Sequence, residues 1–225
     1  DGSIEMLRSK FPDVSVIGNT ENLGFAKANN LALARARGEY LLLINPDTVV
    51  QEDTLKVMLQ FFSQNPDVGL AGCKILNPDG TFQLPCRRSF PTPWVAFTKV
   101  FGLSALFPHS KWFGKYNLTY LNPDETYEVD AISGSFMMMT RELYQKIGGL
   151  DETFFMYGED MAWCKRFWLK DWQLIFVPSA EAIHYGGASS SKAPIRFYIE
   201  RHRADLQYWA KHHSRPAVFC FFLIC

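Results

Sequence analysis

Apolar positions in this chain follow two rhythms that alternate along it. Ile4, Leu7 and Phe11 recur at helical spacing behind the cap-type residues Asp1 and Ser3, which predicts a helix over residues 1–11. Residues 14–17 (VSVI) read as a short strand. Small residues fill 24–37 (GFAKANNLALARAR), a helix closed by Gly38. The unbroken apolar run 40–44 (YLLLI) stops at Asn45 and Pro46 and reads as a buried strand. Leu55, Met58, Leu59 and Phe62 mark one face of a helix over 52–64, and residues 68–72 return to a strand pattern. Strands alternating with helices in this way predict an α/β layered fold with a largely parallel sheet.

From about residue 77 to 127 the rhythm gives way to prolines and aromatic residues. A helix predicted over 94–107 is apolar around most of its circumference, so it is either buried or packed on a membrane or lipid. The regular pattern resumes with a strand over 128–140, a short helix over 141–147 closed by Gly148 and Gly149, a helix from about 158 to 170, and a strand over 174–177. Residues 192–213 read as a basic, aromatic helix. Counted to residue 215, Lys192, Arg196, Arg201, Arg203, Lys211 and Arg215 are set against only Glu200 and Asp205. The chain therefore divides into a single domain over 1–214 and an apolar tail over 215–225. The run 217–225 (AVFCFFLIC) is too short to cross a bilayer, which takes about 20 residues. It is either a last core element or the start of a membrane segment.

Charge and cysteine usage narrow the class. Across 225 residues, 23 basic residues balance 23 acidic ones, which argues against a general nucleic-acid binder. The five cysteines are odd in number and form no CxxC pair, so neither a disulfide framework nor a zinc ribbon is indicated, and a reducing compartment is expected. The chain opens at Asp1 and stops inside an apolar run, so it is expected to continue at both ends.

Four places hold candidate chemistry, each with a plainer alternative. Asn45-Pro46-Asp47 follows the buried strand, where open α/β sheets bind ligands. Asp47 there is either turn chemistry or a carboxylate for a divalent cation on a diphosphate. Glu159 and Asp160 open a helix behind the aromatic stretch 154–157. They either complement the helix dipole or supply a general base beside an acceptor wall. His184 precedes a Gly/Ser-rich stretch, 186–191, and is either structural or part of a metal and phosphate site. Residues 22–29 (NLGFAKAN) form either a tight turn before a closely packed helix or a loop that touches a nucleotide. The pattern is not GxGxxG, so a Rossmann site is not supported.

Taken in order, NLGFAKANN, LLLINPDT, VDAISGSFMMM, GGLDETFFMYGEDMAWCKR and HYGGAS resemble family 2 glycosyltransferases of the GT-A fold. The chain looks most like the rhamnosyltransferase-type branch. That resemblance implies a mostly parallel central sheet flanked by helices, here lacking its N-terminal βαβ portion. It implies that Asp47 binds Mg²⁺ or Mn²⁺ on the donor diphosphate, with Asn45 where the family has a first acid, and that His184 lies near the diphosphate and metal. Asp1, Asn22, Gly24 and Asn29 match donor-binding positions. Asp130 and Gly134 match the strand and turn beside the sugars. Asp160 matches the catalytic base, and Glu159 is its neighbour.

The expected function is inverting transfer of a sugar from a nucleotide-diphospho-sugar, such as dTDP-rhamnose, to a saccharide or lipid-linked saccharide acceptor in cell-envelope polysaccharide synthesis. The expected location is the cytoplasm, at the inner face of the cell membrane. Two rivals stand beside it. One is a non-catalytic sugar- or lipid-binding module on the same scaffold. The other is a nucleotidyltransferase, which would need a basic phosphate-binding loop near the N-terminus.

Overall fold

A computed structural model describes residues 2–187 and 193–224. Helix α1 (Ser3–Lys10) leads into an irregular stretch and helix α2 (Phe25–Leu33). Strands β1 (Tyr40–Ile44) and β2 (Thr48–Val50), helix α3 (Thr54–Gln64) and strand β3 (Val68–Leu76) follow. The middle holds β4 (Arg87–Arg88), α4 (Pro93–Val100), α5 (Leu103–Leu106), β5 (Tyr127–Glu128), β6 (Ala131–Ile132) and β7 (Phe136–Thr140). The remainder is α6 (Arg141–Ile147), α7 (Glu159–Trp168), β8 (Gln173–His184), α8 (Pro194–His212) and α9 (Arg215–Ile224).

The main sheet runs β1-β7-β3-β8-β2, with β5 also on β8. It is mixed rather than largely parallel. β3 and β8 run parallel, whereas β1–β7, β3–β7, β2–β8 and β5–β8 are antiparallel. The reason is that β7 inserts between β1 and β3. The strand–helix–strand unit read from the sequence therefore does not join neighbours, and its two strands flank an antiparallel intruder. A second, two-stranded ladder pairs Arg87 with Ile132 and Arg88 with Ala131.

Other boundaries also moved. Residues 14–17 form no strand, because no ladder partner lies beside them and Val14 is half exposed. The strand expected over 128–140 is three pieces, broken at Asp130 and at the turn 133–135. The helix expected over 94–107 is two helices, broken at Gly102, whose φ of +71° is left-handed backbone that glycine adopts at little cost. Residues 217–224 belong to helix α9, which is the last element of the described chain. Phe221 there is buried and stacks on Trp209 of α8 with ring centroids 4.5 Å apart. Among the described residues no helix is long and apolar enough to cross a membrane.

The core lies on both faces of the sheet. Met137 and Met139 of β7, Leu70 and Ile75 of β3, and Leu174 and Phe176 of β8 are fully buried. Trp163 and Phe167 pack edge to face from α7, and the Trp163 indole donates to Gly148 O at 2.9 Å. A buried arginine anchors the irregular middle. Arg87 lies over the rings of Phe176, Phe82 and Tyr127, with its guanidinium 4.6, 5.3 and 5.6 Å from their centroids. Its two terminal nitrogens donate to Asn122 O and Leu121 O, so ring faces and carbonyls replace part of the water that burial removed, while Nε has no hydrogen-bond partner among the described residues.

Candidate functional site

The metal-type residues meet through strand register. Pairing of β2 with β8 sets Thr48 opposite His184, and the Tyr185 amide donates to Asp47 O at 2.9 Å one step further along. That register sets His184 Nε2 3.2 Å from Asp47 Oδ1 and 3.2 Å from Asn45 Nδ2. Gln83 Oε1 lies 2.8 Å from the other ring nitrogen, Nδ1. The Gln83 amide is itself oriented by donating to Asn77 Oδ1 and His184 O. Gln83 Oε1 only accepts, so Nδ1 is assigned the proton it receives, and Nε2 faces Asp47 Oδ1 and Asn45 Nδ2. Right-angled ligands about 2.1 Å from an octahedral cation stand roughly 3 Å apart, so this pair fits one divalent ion. Among the described residues no cluster of three or more His, Cys, Asp or Glu forms a larger metal cage.

Asp160 sits in the first turn of α7 and is held at both oxygens. Oδ2 accepts from Arg88 Nη2 at 2.5 Å and from the Gly134 amide at 3.2 Å, while Oδ1 accepts from the Met161 amide at 2.7 Å. Both side chains are 13% exposed, so the pair is shielded from bulk water. Burial pulls the Arg88 guanidinium down, but the opposing Asp160 charge overrides it and holds it above its ordinary value. The β4–β6 ladder delivers Arg88, because Arg88 pairs with Ala131 and Ser133 N donates to Cys86 O.

The turn 133–135 joins the two groups. Gly134 N reaches Asp160, while Ser135 O accepts from Asn45 N at 3.2 Å. Asp130 lies at the start of the same segment and accepts from Phe90 N at 2.8 Å, fixing the chain two residues past Arg88. The N-terminus of α2 closes one side. Phe25 N donates to Phe155 O, and the Phe25 ring lies against Gly134. Gly24 has φ +77°, and a Cβ there would stand 2.3 Å from Phe155 O, so only glycine lets the loops meet. Asn22 Oδ1 accepts from Gly24 N, and Asn29 Nδ2 donates to Phe25 O within its own helix. Asp1 and the serines 189–191 lie outside the described residues.

Glu159 differs from its neighbour. It is buried, its Oε2 has no hydrogen-bond partner among the described residues, and burial first, then the adjacent Asp160 charge, pushes its carboxyl up to about 8. A cleft of about 370 Å³ opens between the 153–156 loop and α8, lined by Phe155, Met156, Arg196, Glu200, Arg203 and Gln207. Two residues of this neighbourhood escaped the sequence reading, Arg88 and Gln83. Arg88 is half of an Arg-Arg pair inside a long acid-free stretch, a signal that could have been read. Gln83 gave none, because its role depends on a partner 101 residues away.

With the geometry described, comparison fixes the class. The sequence profile of glycosyl transferase family 2 matches residues 1–148, more than half of the chain, and that of the N-terminal domain of galactosyltransferase matches residues 116–186. The chain belongs to glycosyl transferase family 2. It is 28% identical over 225 residues to the N-acetylglucosaminyl-diphospho-decaprenol L-rhamnosyltransferase of Mycobacterium tuberculosis, covering 95% of this chain and 72% of that protein. It is 27% identical over 172 residues to the rhamnosyltransferase WbbL of Escherichia coli, covering 72% and 61%. Among solved structures, the mannosyltransferase PcManGT of Pyrobaculum calidifontis with GDP-Man and Mn²⁺ superposes with a TM-score of 0.58 at 17% identity, and GalNAc-T7 with UDP, GalNAc and Mn²⁺ with 0.56 at 16%. These show the GT-A fold. The chain covers 57% and 35% of those two chains, with 100% and 82% of its own length matched.

Glu159 gives a pH test. Its folded value of about 8 lies above the ordinary 4.5, so between those pH values the folded protein keeps a proton that the unfolded chain has lost. Stability therefore falls as pH rises through that window, by up to about 1.4 kcal/mol per pH unit for one proton. Glu159→Gln is expected to flatten that slope in urea melts at several pH values. Equal slopes in parent and variant would contradict the assignment.

Proposed function

We propose that this domain catalyses inverting, metal-assisted transfer of a sugar from a nucleotide-diphospho-sugar to a glycan or lipid-linked saccharide of the cell envelope. The observation that carries the reading is the 133–135 turn, which ties an oriented carboxylate, Asp160, to the Asn45–Asp47–His184 group. The named activities of the two rhamnosyltransferase relatives favour a deoxysugar donor such as dTDP-rhamnose, and the decaprenol in one relative's name favours a lipid-linked acceptor. Membrane-face association follows from such an acceptor.

Asp47 and His184 would hold a divalent cation, Mg²⁺ or Mn²⁺, with the Asn45 amide turned to offer its oxygen. The Mn²⁺ in both structural neighbours supports that choice. When bound, the cation offsets the charge that builds on the departing diphosphate. Asp130, Gly134, Asn22, Gly24 and Asn29 line the donor side, and the Phe155–α8 cleft suits the acceptor.

Asp160 is the base. A carboxylate offers about four lone-pair sites. Arg88, Gly134 N and Met161 N take three of them, which leaves one on Oδ1. That oxygen takes the proton of the acceptor hydroxyl as its oxygen forms a bond to the anomeric carbon. The bond from that carbon to the diphosphate oxygen breaks on the opposite face, and the nucleoside diphosphate leaves with the electron pair. Attack opposite the leaving group inverts the anomeric configuration. Glu159, kept protonated by burial, adds no second negative charge beside the base.

Asp160→Asn is expected to lower transfer by about 10²–10⁴-fold while donor affinity, measured by calorimetry, stays near that of the parent. Undiminished transfer would sink the assignment. Asp47→Ala is expected to abolish the gain in donor affinity that Mn²⁺ gives the parent. A parent whose donor binding and turnover ignore chelator would refute the metal site.

A further inference from the structure

Outside the site, α4, α5 and the loop after them leave a row of aromatic side chains partly exposed. Four ring contacts link five aromatic side chains across α4, α5 and the following loop. Phe101 meets Phe97 at 4.6 Å, Phe97 meets Trp94 at 5.7 Å, Trp94 meets Phe113 at 6.0 Å, and Phe113 meets Phe107 at 5.3 Å. The Trp94 indole donates to Trp112 O, which fixes the Trp112 backbone beside this row. Phe101, Phe107 and Trp112 are 59, 51 and 74% exposed. Helix α9 packs against α4. Its Phe221 points inward, while Arg215, Phe219, Phe222 and Leu223 share the opposite stripe at helical spacing. Clustered exposed apolar side chains of this kind mark an interaction site.

Charge identifies the occupant. Residues 80–123 contain no Asp or Glu, and neither do residues 206–225, in a chain whose overall charge is zero. Lys111, Lys115 and Arg215 on these segments have no carboxylate partner among the described residues. Lys99 lies over the Tyr116 ring and faces Asp205 of α8, and Lys211 is taken by Asp151. An aromatic face rimmed by unpaired cations matches the interface of an anionic bilayer. Rings settle there at headgroup depth, and each nearby cation adds attraction.

We infer that α4, α5, Trp112 and α9 form one platform that docks this domain on an anionic phospholipid surface. The lipid contact stands on the face itself, and only its use for a lipid-linked acceptor rests on the transferase reading. The platform is tethered close to the site. Five residue steps separate Arg88, on Asp160, from Pro93 at the start of α4, a reach of at most about 18 Å. A docked domain therefore keeps its candidate base near the membrane.

The test is flotation of the intact protein with vesicles of phosphatidylcholine alone or rich in phosphatidylglycerol, at low and high salt. The parent should float with the anionic vesicles, less so at high salt, and not with the neutral ones. Trp112→Asp combined with Phe222→Asp, both at strongly exposed positions, should lower the anionic partition coefficient at least about tenfold. Lys111→Glu with Lys115→Glu should do so at low salt. Transfer to a short soluble acceptor should be unchanged in both variants. A parent that ignores anionic vesicles at low salt, or variants that bind as tightly as the parent, would overturn the platform. So would a parent dimer that the same substitutions split without any vesicle binding. Loss of transferase activity in every protein with flotation intact would instead count against the catalytic reading alone.

Discussion

The buried pair between Arg88 and Asp160 is the constraint around which the site is arranged. An ionised carboxylate shielded from water needs a compensating charge and filled lone pairs. Here one guanidinium and two backbone amides supply them, each from a different segment. Arg88 reaches Asp160 because β4 pairs with β6. Gly134 reaches it because the chain turns sharply between β6 and β7, and the Met161 amide is available because α7 begins at Glu159. Three elements distant in sequence must fold together before the carboxylate is stable where it is. In return it is held with one lone pair open, as a proton acceptor requires.

The same turn carries the constraint to the other half of the site. Ser135 O holds the Asn45 amide at the end of β1, and the β2–β8 register then brings Asp47 to His184. β7 lies between β1 and β3, so its N-terminal turn emerges beside the ends of both, at the sheet edge where ligands enter α/β folds. The mixed sheet thus has a functional consequence. An antiparallel β7 presents its N-terminal end where a parallel strand would present its C-terminal end, and so delivers the 133–135 turn to the site.

The parts of this arrangement that are local in sequence were legible there. The buried run 40–44, the acids at the start of α7 and the histidine at the end of β8 follow from apolar period, cap chemistry and order, and the five motifs in sequence pointed to the family. Contacts that depend on distant partners were not legible. Arg88 looked like part of a proline- and aromatic-rich insertion, because its meaning lies 72 residues away in Asp160. Gln83 had no local pattern to mark it. Residues 14–17 had strand composition but no neighbouring ladder, and composition alone does not form a strand. Strand direction within the sheet was misread because alternation of strand and helix does not reveal an inserted antiparallel strand. The exposed face of α4 and α9 was half legible. Each segment read alone as either core or membrane-facing, and only packing showed that α4 and α9 are neighbours.

The most direct measurement is the turnover number for transfer in Arg88→Gln, with donor affinity measured in parallel. Without the guanidinium the Asp160 carboxylate loses the partner that orients Oδ2, so kcat should fall at least about tenfold. Donor affinity should remain within a few-fold of the parent, since Arg88 acts through Asp160. An unchanged kcat, or a loss confined to donor binding, would contradict the role of this pair.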